Sequence, residues 1–200
     1  MTGDDVRSDG AAGSSAEFGP VFSASCARAT ADELEEWQGF ALKLCEEADA
    51  IALRHFRRDL EIATKPDRSY VTQADTAIER HLRERIRARF PDHGFVGEEY
   101  GEEAGRSSSR WYIDPIDGTH NYIRGIPLFG TLLALEVDGE LQLGVLSAAA
   151  LRERWYAARG LGAWAVGAAG MEGTRRIAVS RVADLADSQV VYGSSAELEA

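Results

Sequence analysis

Two amphipathic stretches of helical period, followed by short alternating segments joined at Asp-Gly and Gly-rich turns, predict a protein of mixed α and β structure. Its 200 residues are 44% hydrophobic and 28% charged, which suits a soluble globular chain with a sizeable core and excludes a disordered one. The formal net charge of −11 disfavours nucleic acid and anionic membrane as partners. It would also repel a phosphate substrate unless the site carried its own cations. Cys26 and Cys45 lack metal-type spacing and are too few for a disulfide framework, so a reduced, cytoplasmic setting is the expectation.

Residues 1–29 are rich in Gly, Ala, Ser and Asp, with no periodicity and no apolar run long enough for a signal peptide or membrane span. They read as a disordered tail ahead of one domain over residues 30–200. Thr30-Ala-Asp-Glu33 is a capping box, and Leu34, Trp37, Ala41, Leu44, Ala48 and Ile51 then form the apolar face of a packing helix. A loop from Lys65 leads to a second helix with Thr72 as N-cap and Asp75 at its third position. Ile78, Leu82, Ile86 and Phe90 recur every four residues until Pro91 ends it.

Gly94-Phe95-Val96-Gly97-Glu98-Glu99 reads as a short strand ending in two acids, of which alternation would aim one at any given face. Residues 101–109, rich in Glu, Gly and Ser, read as a mobile surface loop. Trp111-Tyr-Ile-Asp114-Pro-Ile-Asp117-Gly118-Thr119 follows, an apolar strand that Pro115 should stop, leaving two carboxylates at its end. Gly118 permits a tight turn, and residues from Thr119 can open a helical turn whose N–H groups face the same place. Neighbouring like charges persist only if a proton or cation is shared between them, and a hard divalent cation such as Mg²⁺ takes carboxylates, carbonyls and water as ligands. The plain alternative is a turn in which Asp117 caps a helix and Asp114 ends a strand; Asp75 is likewise explained by helix capping alone.

Beyond Pro127 the chain turns to strands. Residues 129–137 and 140–146 flank Asp138-Gly139, a hairpin signal, and residues 154–158 and 163–166 flank Arg159-Gly-Leu-Gly162, with residues 177–180 as a further strand. The four histidines, His55, His81, His93 and His120, show no metal spacing.

Asp-Pro-Ile-Asp-Gly-Thr-x-Asn after an apolar strand resembles the signature of the inositol monophosphatase superfamily, with every fixed position filled. The order Lys65…Asp67…Val71-Thr72…Asp75, the Gly97-Glu98-Glu99 run and Gly160-Leu-Gly-Ala-Trp164 resemble its other landmarks. The resemblance implies a layered α/β sandwich, helices over a mostly antiparallel sheet, and Mg²⁺-dependent hydrolysis of a small phosphate monoester by an activated water. It implies metal ligands at Glu98, Asp114, Asp117 and the Ile116 carbonyl, with catalytic roles for Glu98, for Thr119, and for Asp75 bonded to Thr119. Gly118 and Thr119 amides would bind phosphate, Glu99 would stand behind Glu98, and Lys65 and Asp67 are weaker candidates near a further metal.

Asn121-Tyr-Ile-Arg124-Gly-Ile-Pro127 is similar to the histidinol-phosphatase branch, which makes Arg124 a substrate candidate and histidinol phosphate the favoured substrate. Inositol phosphate is the alternative, and a non-catalytic metal-binding scaffold is the alternative of another class. Members of the superfamily often dimerise, so the resemblance is compatible with a homodimer. It also implies a later Trp-Asp motif. Trp37, Trp111, Trp155 and Trp164 precede Gln, Tyr, Tyr and Ala, and the chain closes on Ser-Ser-Ala-Glu-Leu-Glu-Ala, so the expectation is a domain incomplete at its C-terminus.

Overall fold

The computed structural model describes residues 29–66, 68–167 and 173–191. The expected N-terminal tail up to residue 28, Asp67 and the closing segment from residue 192 lie outside them. In order, the elements are α1 (Ala31–His55), β1 (Ile62–Thr64), β2 (Tyr70–Thr72), α2 (Gln73–Arg89), β3 (Gly94–Gly97), β4 (Gly101–Glu103), β5 (Ser109–Asp117) and α3 (Thr119–Ile123). β6 (Gly130–Val137), β7 (Glu140–Ala148), β8 (Glu153–Ala158), β9 (Gly162–Val166) and β10 (Thr174–Ile177) complete them.

Both long helices start at reciprocal capping boxes. In α1 the Thr30 hydroxyl accepts from the Glu33 amide, and Glu33 accepts from the Thr30 amide at 2.8 Å. In α2 the Thr72 hydroxyl accepts from the Ala74 amide at 3.1 Å, and Asp75 Oδ2 accepts from the Thr72 amide at 2.8 Å. Satisfying these end amides contributes about 1 kcal/mol per cap. Thr72→Ala is therefore expected to lower the melting temperature by about 2–4 °C, the shift that about 1 kcal/mol produces in a chain of this size, as read by circular dichroism.

β3 to β10 form one sheet in the order β10-β9-β8-β7-β6-β5-β3-β4, antiparallel at every pairing except β3 with β5. β1 and β2 make a separate antiparallel pair. Asp138 and Gly139 turn the β6–β7 hairpin with φ of 53° and 79°, the left-handed backbone that such two-residue turns need. α1 lies over β6 and β7 while α2 lies over β5. The expected faces pack there: Leu44, Ala48, Ile78, Leu82 and Ile86 are fully buried against Trp111, Ile113, Leu133 and Leu135. Each such large apolar side chain contributes about 1.5–3 kcal/mol on burial. This is the layered α/β arrangement, with helices over a mostly antiparallel sheet, that the family resemblance implies.

Three local expectations are corrected. Residues 101–109 are not simply a loop, because Gly101–Glu103 pairs with β3 and Arg83 and Arg87 hold Glu103 at 3.4 and 2.8 Å. The strand expected at 177–180 is Thr174–Ile177 instead, in register with β9 from Thr174 opposite Val166 to Ile177 opposite Ala163. β5 also does not stop at Pro115 but runs on to Asp117. Pro115 sits where the register with β6 shifts, so its missing donor breaks no regular ladder, and its carbonyl accepts from the Thr131 hydroxyl at 2.8 Å.

Candidate active site

That irregularity sets the geometry of the two central acids. Side chains alternate along a strand, so residues three apart face opposite ways. Here Asp114 lies opposite Leu132 and Asp117 opposite Gly130, three steps on β5 against two on β6. The extra residue of the bulge restores the parity and brings both carboxylates to one side. Gly118 follows at φ 85°, ψ 37°, and its carbonyl accepts from the amides of Asn121 and Tyr122 at 2.8 and 3.0 Å to start α3. A side chain there would meet both a strained backbone and the Leu128 carbonyl at 3.0 Å, so glycine is required on two counts.

Asp114 is largely removed from solvent, and its Oδ1 is buried with no hydrogen-bond partner. Burial, then the charge and hydrogen bond of Glu98, then the charges of Asp117 and Asp75 push its carboxyl up to about 8. Four acids thus sense one another. Asp75, fully buried, accepts at Oδ2 from the Thr72 hydroxyl at 2.5 Å, while its Oδ1 is likewise buried and unpartnered. Burial raises its pKa, the Thr72 bonds offset part of the rise, and the charge of Glu98 adds to it.

Glu98 and Glu99 depart from the alternation expected of a strand. β3 ends at Gly97, and the two acids lie in the turn beyond it, with the Glu98 amide donating to the Ile113 carbonyl at 3.1 Å. Freed from strand geometry, both reach Lys65 Nζ at 2.8 Å. Glu98 retains 38% side-chain exposure and Glu99 only 5%, so Glu98 is the one open to an incoming group. Burial works against the Lys65 charge, but the hydrogen bonds from Lys65 to the two glutamates outweigh it and raise its pKa. Lys65 is presented by the tight turn between β1 and β2, two strands the sequence did not announce.

The expected bond between Asp75 and Thr119 is absent. The Thr119 hydroxyl donates instead to the Ile116 carbonyl at 3.0 Å, and Asp75 is engaged with its own helix cap. The reason is local: a threonine opening a helical turn reaches back to the carbonyl three residues before it more readily than across to another element. Ile116 keeps a second carbonyl lone pair for another partner. Arg124 folds onto α3, donating to the His120 carbonyl at 2.9 Å, and the His120 ring lies 4.7 Å from that of Tyr70. Glu98 and Asp114 line a cleft of about 430 Å³ on the sheet face away from α1 and α2, with Val96, Tyr112, Leu132 and Ala134 as its apolar wall.

The donor set fits Mg²⁺ in kind. It consists of hard oxygen ligands, two of them buried without partners, in a place where the negative charges already hold one cation, Lys65. Among the described residues no three His, Cys, Asp or Glu side chains close into a ready-made cage. Mg²⁺ typically binds through one or two carboxylates and keeps several waters, so a closed cage is not required.

One further acid belongs to this region and was not singled out from the sequence. Glu79, fully buried on α2, accepts from the Glu99 amide at 2.7 Å and the Tyr100 amide at 3.2 Å. Its signal was an acid and a base four apart, Glu79 and Arg83, interleaved with the apolar positions Ile78, Leu82 and Ile86.

A helix-backed, mostly antiparallel sheet whose strand-end turn gathers carboxylates at one corner is a layered α/β fold with an acidic site. The inositol monophosphatase family profile matches residues 33–198, and the chain belongs to that family. It is 44% identical over 153 residues to a histidinol-phosphatase of Chlorobaculum parvum, covering 76% of this chain and 56% of that protein. It is 42% identical over 157 residues to a histidinol-phosphatase of Mycobacterium tuberculosis, covering 77% and 59%. The solved structure of a Thermotoga maritima IMPase superposes with a TM-score of 0.66 at 35% identity, over 73% of this chain and 54% of that one. The chain thus spans a little over half the length of these relatives.

Proposed function

We propose that this protein is a Mg²⁺-dependent phosphomonoesterase that hydrolyses L-histidinol phosphate to histidinol and phosphate. The observation that carries the reading is the pair of buried, unpartnered carboxylate oxygens on Asp75 and Asp114 beside the half-exposed Glu98. Such a pair is costly without a cation and useful with one. Bound divalent cations supply charge neutralisation of the phosphate and a low-pKa water at neutral pH. Glu98, Asp114, Asp117 and the Ile116 carbonyl would hold them. Glu98 takes up the proton of the attacking water, and Asp75 Oδ1 is a second acceptor within the same cluster. Thr119 orients the Ile116 carbonyl through its hydroxyl, and the Gly118 and Thr119 amides receive phosphate oxygens.

The histidinol-phosphatase names of two relatives at 42–44% identity support the substrate, and the IMPase neighbour keeps inositol phosphate as the second reading. The same reading sets the activity in the cytoplasm, within histidine biosynthesis. No described helix is long and apolar enough to cross a membrane. The test is phosphate release from histidinol phosphate, inositol 1-phosphate and fructose 1,6-bisphosphate, each with Mg²⁺ and with excess chelator. Turnover of histidinol phosphate that vanishes with chelator supports the proposal, and turnover that survives exhaustive chelation rejects it.

Arg124 is proposed to meet the polar end of the substrate, its fork leaving α3 when a ligand arrives. Arg124→Ala is expected to lower kcat/KM for histidinol phosphate by roughly tenfold, the scale of one lost charged hydrogen bond, and to change turnover of a generic aryl phosphate far less. Equal losses on both substrates would assign Arg124 to holding α3.

A further inference from the structure

We propose that Glu79, braced by Arg83, is a positioning residue that fixes the direction of Glu98 and Glu99 and thereby the cation affinity of the site. The proposal rests on the reading of that site as a metal site. Glu79 uses both oxygens: Oε2 accepts from the Glu99 amide at 2.7 Å, while Oε1 accepts from the Tyr100 amide at 3.2 Å and from Arg83 Nε at 2.8 Å. Arg83 continues the chain of contacts by donating to the Gly101 carbonyl. Its guanidinium lies 5.1 Å from the Phe95 ring centroid and 5.8 Å from that of Tyr100. The turn from Gly97 to Gly101 is therefore bonded along its backbone to α2, so that its two acids leave it in set directions.

Gly97 records the same contact from the other side. Its backbone is not left-handed, so conformation alone does not require glycine. A Cβ at this position, however, would lie 1.8 Å from Glu79 Oε1 and 2.7 Å from Arg83 Nη2. The glycine of Gly-Glu-Glu is there to let the buried carboxylate approach.

The energetics also favour a positioning role. An apolar pair in place of a buried Glu–Arg pair is often at least as stabilising, so stability is a weak reason for placing these charges among Ile78, Leu82 and Ile86. A carboxylate that receives two consecutive turn amides does what an apolar side chain could not. Asp75 lies one helical turn before Glu79, so a single rigid helix contributes one acid to the cluster and aligns two others.

The test uses the 200-residue chain as wild type, Glu79→Gln and Glu79→Asp, with Leu82→Ala as a control that weakens the same helix without touching the turn. Two quantities are measured: amide hydrogen exchange at Glu99 and Tyr100 without metal, and Mg²⁺ affinity by calorimetry. Glu79→Gln sets an amide NH₂ against an N–H or against the guanidinium. It is expected to lower protection at both amides at least tenfold and Mg²⁺ affinity at least tenfold. Glu79→Asp keeps the charge, shortens the reach and should show smaller losses of both. Leu82→Ala should lower the melting temperature while leaving both quantities within twofold. The proposal is overturned if Glu79→Gln keeps both within twofold of wild type, or if Leu82→Ala reproduces the two losses. A wild type that gives no Mg²⁺ heat would reject the cation reading of the site, and the exchange arm would still decide whether Glu79 fixes the turn.

Discussion

Asp117→Asn is expected to reduce Mg²⁺-dependent phosphate release by at least about 100-fold, because even a residue that only supports a metal ligand typically costs 10–100-fold when replaced. The substitution keeps shape and removes charge. Asp117 is exposed at the end of β5, just before the Gly118 turn, so its replacement disturbs no packing. The melting temperature of the metal-free protein should therefore change by less than about 1 °C, within the range of ordinary surface changes. The informative measurement is the pair: initial rate at saturating Mg²⁺ beside a thermal melt in chelator. Near-normal turnover would make Asp117 a turn residue only, the plainer role its sequence context also allows.

Asp114→Asn should separate stability from function in the opposite direction. Its carboxyl is pushed up to about 8 in the folded, metal-free protein, against an ordinary value near 3.8 in the unfolded chain. Between those values the folded state holds a proton that the unfolded state has released. This contribution to stability is thus fully present below the unfolded pKa and is lost as pH rises toward about 8. The metal-free wild type should therefore melt at progressively lower temperature from pH 5 to pH 8. Asp114→Asn should have a flatter profile and melt about 2–4 °C higher at pH 8, the shift produced by relieving about 1 kcal/mol. Mg²⁺ reverses the order. A cation that binds only the folded state stabilises it by about 2.7 kcal/mol at a hundred times its dissociation constant, and the variant should lose most of that gain. A variant less stable than wild type at pH 8 in chelator would mean that the Asp114 carboxylate is well accommodated without a metal.

The parts legible in the sequence were those encoded over a few consecutive residues. Thr30 with Glu33 and Thr72 with Asp75 announce helix starts that the structure reproduces bond for bond. The Asp138-Gly139 pair marks the β6–β7 hairpin, and the Asp114 to Thr119 run marks a strand-to-turn corner carrying acids. What escaped was encoded between elements. β1, β2 and β4 have three residues each, too few for a periodic pattern, and β4 exists because β3 and two arginines of α2 hold it. The meeting of Glu98 and Glu99 on one ammonium depends on the strand ending two residues sooner than its composition implies. The Asp75 to Thr119 bond was an expectation from resemblance, and a backbone donor nearer to Asp75 and a backbone acceptor nearer to Thr119 displaced it.

The bulge in β5 makes the acidic corner a matter of counting. Asp114 and Asp117 share a side because one strand advances three residues while its neighbour advances two. A conservative replacement of Ile116 would leave the phase of the strand intact, and deleting that one residue would leave the two acids two positions apart, still on one side by plain alternation but without the bulge and the Ile116 carbonyl between them.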